Sequence, residues 1–155
     1  MPTVLVADDD ADHRELLTLA LRRDGHEVVT AADAGAAWAA LAAGGIDAVL
    51  LDVRMPGESG IDLCRRLRAE PATAILPVML VSADVTGDRV LEALRAGADD
   101  FLTKPFHRAE LGARLGNLLL RRKAHPATAA AAAMTAARQA IRTTVATTAP
   151  VRRIA

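Results

Sequence analysis

The sequence predicts a parallel α/β sheet covered by helices on both faces, and three observations carry that prediction. Short apolar runs alternate with longer stretches of helical periodicity through residues 3–123. Several of these runs are continuously apolar, the pattern of parallel strands buried on both sides rather than on one. Five strand–helix units fit into this length, which calls for crossover connections in one sheet.

The elements follow in order. "TVLVA" (3–7) reads as the first strand, followed by a helical pattern over 11–24 that Gly25 should stop. "EVVTA" (27–31) is the second strand; the helix over 33–43 has Asp33 as a candidate cap and Gly44 beyond its end. "DAVLLD" (47–52) is the third, and Ser59 can cap the helix over 58–69. "PVMLVSA" (77–83) and a helix over 87–96, closed by Gly97, form the fourth unit. "DDFLTK" (99–104) precedes a helix over 107–123 in which Leu111, Leu115, Leu118 and Leu119 make one apolar stripe.

Residues 1–124 therefore read as one domain and residues 125–155 as an Ala-, Thr- and Arg-rich tail, partly helical or disordered. His125 and Pro126 interrupt the last helix, and Met134, Ala137 and Ile141 form only a weak stripe. The formal net charge is zero, but no acid follows Glu110. The body carries 15 basic against 19 acidic groups, and the tail carries Arg138, Arg142, Arg152 and Arg153.

Composition excludes several function classes. One cysteine, Cys64, leaves no internal disulfide and fits a reducing cytoplasm; Cys64 and Trp38 read as packing residues. No apolar run has membrane-spanning length, and the N-terminus lacks the basic start of a secretion signal. The four histidines are scattered without zinc-ligand spacing. Three aromatic residues supply no base-stacking platform, and the tail arginines are too sparse for a phosphate-binding surface, so direct nucleic-acid binding is not expected.

Chemistry is concentrated at strand ends. In open α/β sheets, sites form beyond the carboxyl ends of the strands, where strand order reverses. Strand 1 ends at Asp8 and Asp9, strand 3 at Asp52, strand 4 at Ser82 and strand 5 at Lys104. Were these strands neighbours, three acids, a hydroxyl and an ammonium would share one rim. Crowded carboxylates raise one another's pKa, and a hard divalent cation relieves the repulsion through oxygen ligands. A carboxylate in such a pocket can accept a phosphoryl group, with Lys104 and Ser82 serving its oxygens. Asp10 reads instead as the acidic start of the first helix.

"VLVADDD", "LLDVRMPGESG", "VMLVSA" and "DDFLTKPF" together resemble the receiver domain of two-component response regulators, in order and spacing, over residues 3–123. The resemblance implies a flavodoxin-like doubly wound sheet of strand order 2-1-3-4-5 with five helices. It implies Asp52 as phosphoacceptor and Mg²⁺ (or Mn²⁺) held by Asp8, Asp9, Asp52 and the backbone carbonyl of Arg54. It implies phosphoryl contacts from Ser82, the Ala83 N–H and Lys104, a cis peptide at Lys104–Pro105, and a switch made of Ser82 and Phe101. Phe101 reads equally as a core aromatic. Arg54 and Asp84 fall at positions expected to tune the lifetime of the phosphorylated form. Arg95, Asp99, Asp100, Glu110 and Arg114 read either as plain surface charges or as a dimer face built from helix 4, strand 5 and helix 5.

The implied function is a cytoplasmic switch. A sensor histidine kinase or histidine phosphotransfer protein phosphorylates Asp52, and the changed face meets a protein target or a second copy. Self-phosphorylation and autodephosphorylation would be its only enzymology. A haloacid-dehalogenase-type phosphatase would want an acid at position 54, where Arg54 stands. A flavin carrier would want a phosphate-binding loop after strand 1, where "DDDADHR" is acidic. A phosphorylation-independent scaffold would not need the full set of acids, hydroxyl and lysine. The output stays open between a stand-alone receiver and a fragment of a longer DNA-binding or enzymatic regulator.

Overall fold

The computed structural model describes residues 1–83 and 86–124. Five strands and five helices alternate: β1 Thr3–Ala7, α1 Ala11–Arg23, β2 Glu27–Ala31, α2 Ala34–Ala42, β3 Ala48–Asp52, α3 Gly60–Ala69, β4 Val78–Ser82, α4 Gly87–Arg95, β5 Asp100–Thr103 and α5 Arg108–Ala124. The strands form one parallel sheet in the order β2-β1-β3-β4-β5, as expected. The segment 125–155 assigned to a tail lies outside the described residues.

The unbroken apolar runs have the anticipated cause. In β1, Val4 and Val6 face a core built with Leu17 and Leu21 of α1 and Leu111, Leu115 and Leu118 of α5. Leu5 and Ala7 face the opposite core, with Ala37 and Leu41 of α2, Ile61, Leu63 and Leu67 of α3, and Ala93 of α4. Every residue of β3 and β4 is buried, whereas β2, at the sheet edge, is mostly exposed. Each fully buried leucine contributes about 1.5–3 kcal/mol relative to exposure, so Leu111, Leu115 and Leu118 anchor α5 on this core.

Helix starts are set by side-chain caps. Asp10 accepts from the amides of Asp12 and His13, Asp33 from Ala36, Ser59 from Asp62, and Thr86 from Arg89. The second and third helices begin one and two residues later than the periodicity implies, because Asp33 and Ser59 are caps with extended backbones. Asp10 acts at the start of α1, as read from sequence.

Candidate functional site

The turn after β3 is shaped by two glycines. Gly57 has φ of +79°, a left-handed conformation that favours glycine. Gly60 begins α3 against the end of β3, and its amide donates to the Val53 carbonyl at 3.0 Å. A Cβ on Gly60 would lie 2.1 Å from the Asp52 carbonyl oxygen. Only glycine lets α3 start this close, and that contact braces the backbone carrying Asp52.

The strand order reverses between β1 and β3, and the predicted charged residues meet at that end of the sheet. Asp8, Asp9 and Asp52 each offer an oxygen, and these atoms lie within 4.8 Å of one another. Asp8 and Asp52 are buried and Asp9 is exposed. Lys104 reaches across from the end of β5, placing Nζ 3.1 Å from Asp52 Oδ2 and 3.4 Å from Asp8 Oδ2. Lys104–Pro105 is a cis peptide. Ser82 is buried at the end of β4, and Ala83 follows it at the surface.

The two buried acids are pushed in opposite directions. Burial raises the Asp52 carboxyl and the neighbouring Asp8 charge raises it further; Lys104 opposes both, and the net shift is upward. Burial also acts to raise Asp8, but donors outweigh it. The Asp10 amide donates to Asp8 Oδ1 at 2.9 Å, and His13 Nδ1 lies 2.7 Å from Oδ2. With Asp52 and Lys104 adding to these, the Asp8 carboxyl ends below its ordinary value. Asp8 is therefore the committed carboxylate, while Asp52 holds a proton more readily.

Arg54 lies two residues beyond Asp52, and its amide donates to Asp52 Oδ1 at 3.2 Å. Arg54 also lines an open cleft of about 420 Å³ with Asp9, Met55, Pro56, Ser59 and Arg89. Asp84, read as its counterpart in tuning lifetime, lies outside the described residues. Phe101 is partly buried and packs against the α2–α3–α4 core.

The chain belongs to the family of response regulator receiver domains. The family model of the response regulator receiver domain matches residues 4–116. Among curated relatives, the phosphate regulon transcriptional regulatory protein PhoB of Pseudomonas aeruginosa is 40 % identical over 119 residues, covering 77 % of this chain and 52 % of PhoB. The DNA-binding response regulator MtrA of Mycobacterium tuberculosis is 44 % identical over 124 residues, covering 80 % of this chain and 53 % of MtrA. The solved receiver domain of Francisella response regulator 1452 superposes with a TM-score of 0.73 at 33 % identity, covering 78 % of this chain and 98 % of that one. The chain thus spans about half the length of the curated relatives it matches. It is a receiver domain of the two-component response regulators, and the acidic pocket such domains use for Mg²⁺ has its counterpart in Asp8, Asp9 and Asp52.

The receiver's charged face on α4, β5 and α5 is largely tied up within the chain. Arg114 reaches Asp100 at 2.7 Å and Glu110 at 3.2 Å. The Asp100 hydrogen bond and charge hold the Arg114 guanidinium above its ordinary value. Asp99 accepts from Arg68 at 2.8 Å and from the Val78 amide at 2.8 Å. Arg95 is exposed. Sequence reading missed the exposed Leu91 and Leu94, which give α4 an apolar strip on its outer side.

It also missed His13 and Arg68. His13 could have been noticed as one helical turn beyond the acidic pair. Arg68 donates to Gly97, Ala74 and Leu76 carbonyls as well as to Asp99, binding the end of α3 to the loop before β5. Nothing local in the sequence signals that role. Among the described residues, no helix is long and apolar enough to cross a membrane.

Proposed function

We propose that this receiver is a phosphorylation switch with Asp52 as phosphoacceptor. The observation that carries the reading is one ammonium, Lys104 Nζ, within 3.1 and 3.4 Å of two buried carboxylates beside a third acid. An Asp52 oxygen attacks the phosphorus of a phosphohistidine on a sensor kinase or phosphotransfer protein. The new O–P bond replaces the P–N bond, and the imidazole nitrogen leaves with its electron pair. Lys104 follows the transferred charge, while the Ser82 hydroxyl and the Ala83 N–H donate to phosphoryl oxygens.

The donor set fits a hard divalent cation: three carboxylates with converging oxygens and the Arg54 backbone carbonyl two residues beyond Asp52. Mg²⁺ or Mn²⁺ bound there would neutralise charge between these acids and the incoming phosphoryl oxygens. Asp9 and Asp52 would hold it with the Arg54 carbonyl, and Asp8 would assist.

Residues 1–124 act as the receiver unit and 125–155 as an appendage. Phosphorylation favours one state of Ser82 and Phe101, which reshapes the α4–β5–α5 face for a protein target or a second copy. Rearrangement of the Arg114 pairs with Asp100 and Glu110, or of Asp99 and Arg95, would expose charges for that contact, beside Leu91 and Leu94. PhoB and MtrA are named as transcriptional and DNA-binding regulators; in this chain the output is contact with protein, in the cytoplasm. Arg54 and Asp84 govern water access to the phosphoryl group. Arg54→Ala is expected to change the lifetime of the phosphorylated form more than its rate of formation, measured by decay of the intact phosphoprotein mass.

The test is intact mass after incubation with acetyl phosphate and Mg²⁺. A gain of one phosphoryl group that vanishes in Asp52→Ala and without Mg²⁺ is the expected result. No gain, together with no beryllofluoride binding, refutes the switch and leaves a scaffold that binds regardless of phosphorylation.

A further inference from the structure

We infer that His13 is a positioning residue for the cation site, holding Asp8 through its Nδ1 and so setting the affinity of the pocket for a divalent metal. The inference rests on the phosphorylation reading above and assigns a role to a residue which that reading does not use.

Asp8 is 1 % exposed, and both its oxygens are engaged. Oδ1 accepts from the Asp10 amide at 2.9 Å. Oδ2 faces His13 Nδ1 at 2.7 Å and Lys104 Nζ at 3.4 Å. An ionised carboxylate only accepts, so His13 Nδ1 carries the hydrogen in this contact. The imidazole is itself held: Phe106, two residues beyond Lys104, meets it edge-to-face with ring centroids 5.9 Å apart and planes at 85°. Cα of His13 is fixed in the first turn of α1, where the Asp10 side chain caps its amide. Backbone and ring contacts thus aim Nδ1 at one oxygen of one buried acid.

The arrangement matters when Lys104 moves. Its ammonium sits nearer Asp52 than Asp8, and a phosphoryl group on Asp52 would attract it further toward that side. His13 then remains as the side-chain donor holding Asp8 Oδ2. Groups that hydrogen-bond a metal-binding carboxylate fix its rotamer before the ion arrives, and their loss costs about 10–100-fold in metal affinity.

The experiment is Mn²⁺ titration of the full chain by electron paramagnetic resonance of the free ion, on wild type, His13→Leu, His13→Asn and His13→Gln. Circular dichroism establishes that each is folded. An Asn amide nitrogen can occupy the Nδ1 position, whereas the Gln amide extends past it. The expected result is a loss of about tenfold or more in Mn²⁺ affinity for Leu and Gln, with Asn close to wild type. The Mg²⁺ concentration giving half-maximal phosphorylation by acetyl phosphate should rise in the same order. Should His13→Leu fail to fold, the Asn–Gln difference carries the test. Equal affinity in wild type and His13→Leu, or equal affinity in Asn and Gln variants, overturns the inference while leaving Asp52 as phosphoacceptor. A wild type that binds no Mn²⁺ overturns both readings.

Discussion

Replacing Asp52 by Asn should stabilise the metal-free protein and remove most of its stabilisation by Mg²⁺. Asp52 and Asp8 have oxygens within 4.8 Å, a repulsion of about 3 kcal/mol at an effective dielectric near 20. Lys104 Nζ at 3.1 Å from Asp52 returns about 5 kcal/mol on the same basis. Asp9 is exposed, so water screens its repulsion to about 1 kcal/mol. Against that near balance stands the desolvation of a carboxylate that is only 7 % exposed, several kcal/mol per buried ion. The charged form is therefore disfavoured, in agreement with the upward shift of the Asp52 carboxyl.

Asparagine keeps the shape without the charge, so a gain of about 1–3 kcal/mol is expected, or roughly 3 °C in Tm per kcal/mol. The pH sign follows from proton binding. Native Asp52 holds its proton more tightly than the unfolded chain does, so its contribution to wild-type stability falls as pH climbs from the unfolded to the raised native value. The advantage of Asp52→Asn should thus grow through that interval and level off at neutral pH. Urea unfolding in chelator, and again in saturating Mg²⁺, measures both effects. A variant no more stable than wild type in chelator, or one that keeps the full Mg²⁺ increment, would refute the electrostatic account.

Gly60→Ala places a methyl group 2.1 Å from the Asp52 carbonyl oxygen; a loss of at least about 2 kcal/mol in urea unfolding, with slower phosphorylation, is expected. Arg68→Ala removes donors to three carbonyls and the partner of Asp99, which should cost about 2–4 kcal/mol and lower the urea midpoint without changing the slope. Cys64 is fully buried and burial pushes its thiol up to about 11; a thiol reagent at neutral pH should label it only at the rate at which the protein opens.

Much of the fold was legible because it follows from short-range chemistry. Continuous apolar runs marked β1, β3 and β4, and all three are buried on both faces. Asp33 and Ser59 were recognisable as caps, since a short polar side chain before an apolar-periodic stretch has an orphan amide to satisfy. The acids and Lys104 were recognisable because each stands at the end of a strand, and parallel strands end on one rim. The charges at 99, 100, 110 and 114 were less readable. Sequence offered them either as plain surface charges or as a dimer face, whereas Arg114 and Arg68 pair with the acids within the chain.

Sequence by itself determined the βα alternation, the two-sided burial of the central strands and which acids, hydroxyl and lysine stand at strand ends. Periodicity, capping and turn chemistry act over a few residues, so they can be read along the chain. Tertiary structure decided that Lys104 lies between Asp8 and Asp52, that Arg68 joins α3 to the loop before β5, that Gly60 braces Asp52, and that His13 rather than solvent meets Asp8. These contacts depend on how far each helix slides along the sheet and how it is rotated about its axis. The summed packing of both cores fixes that placement, and no short stretch of sequence encodes it.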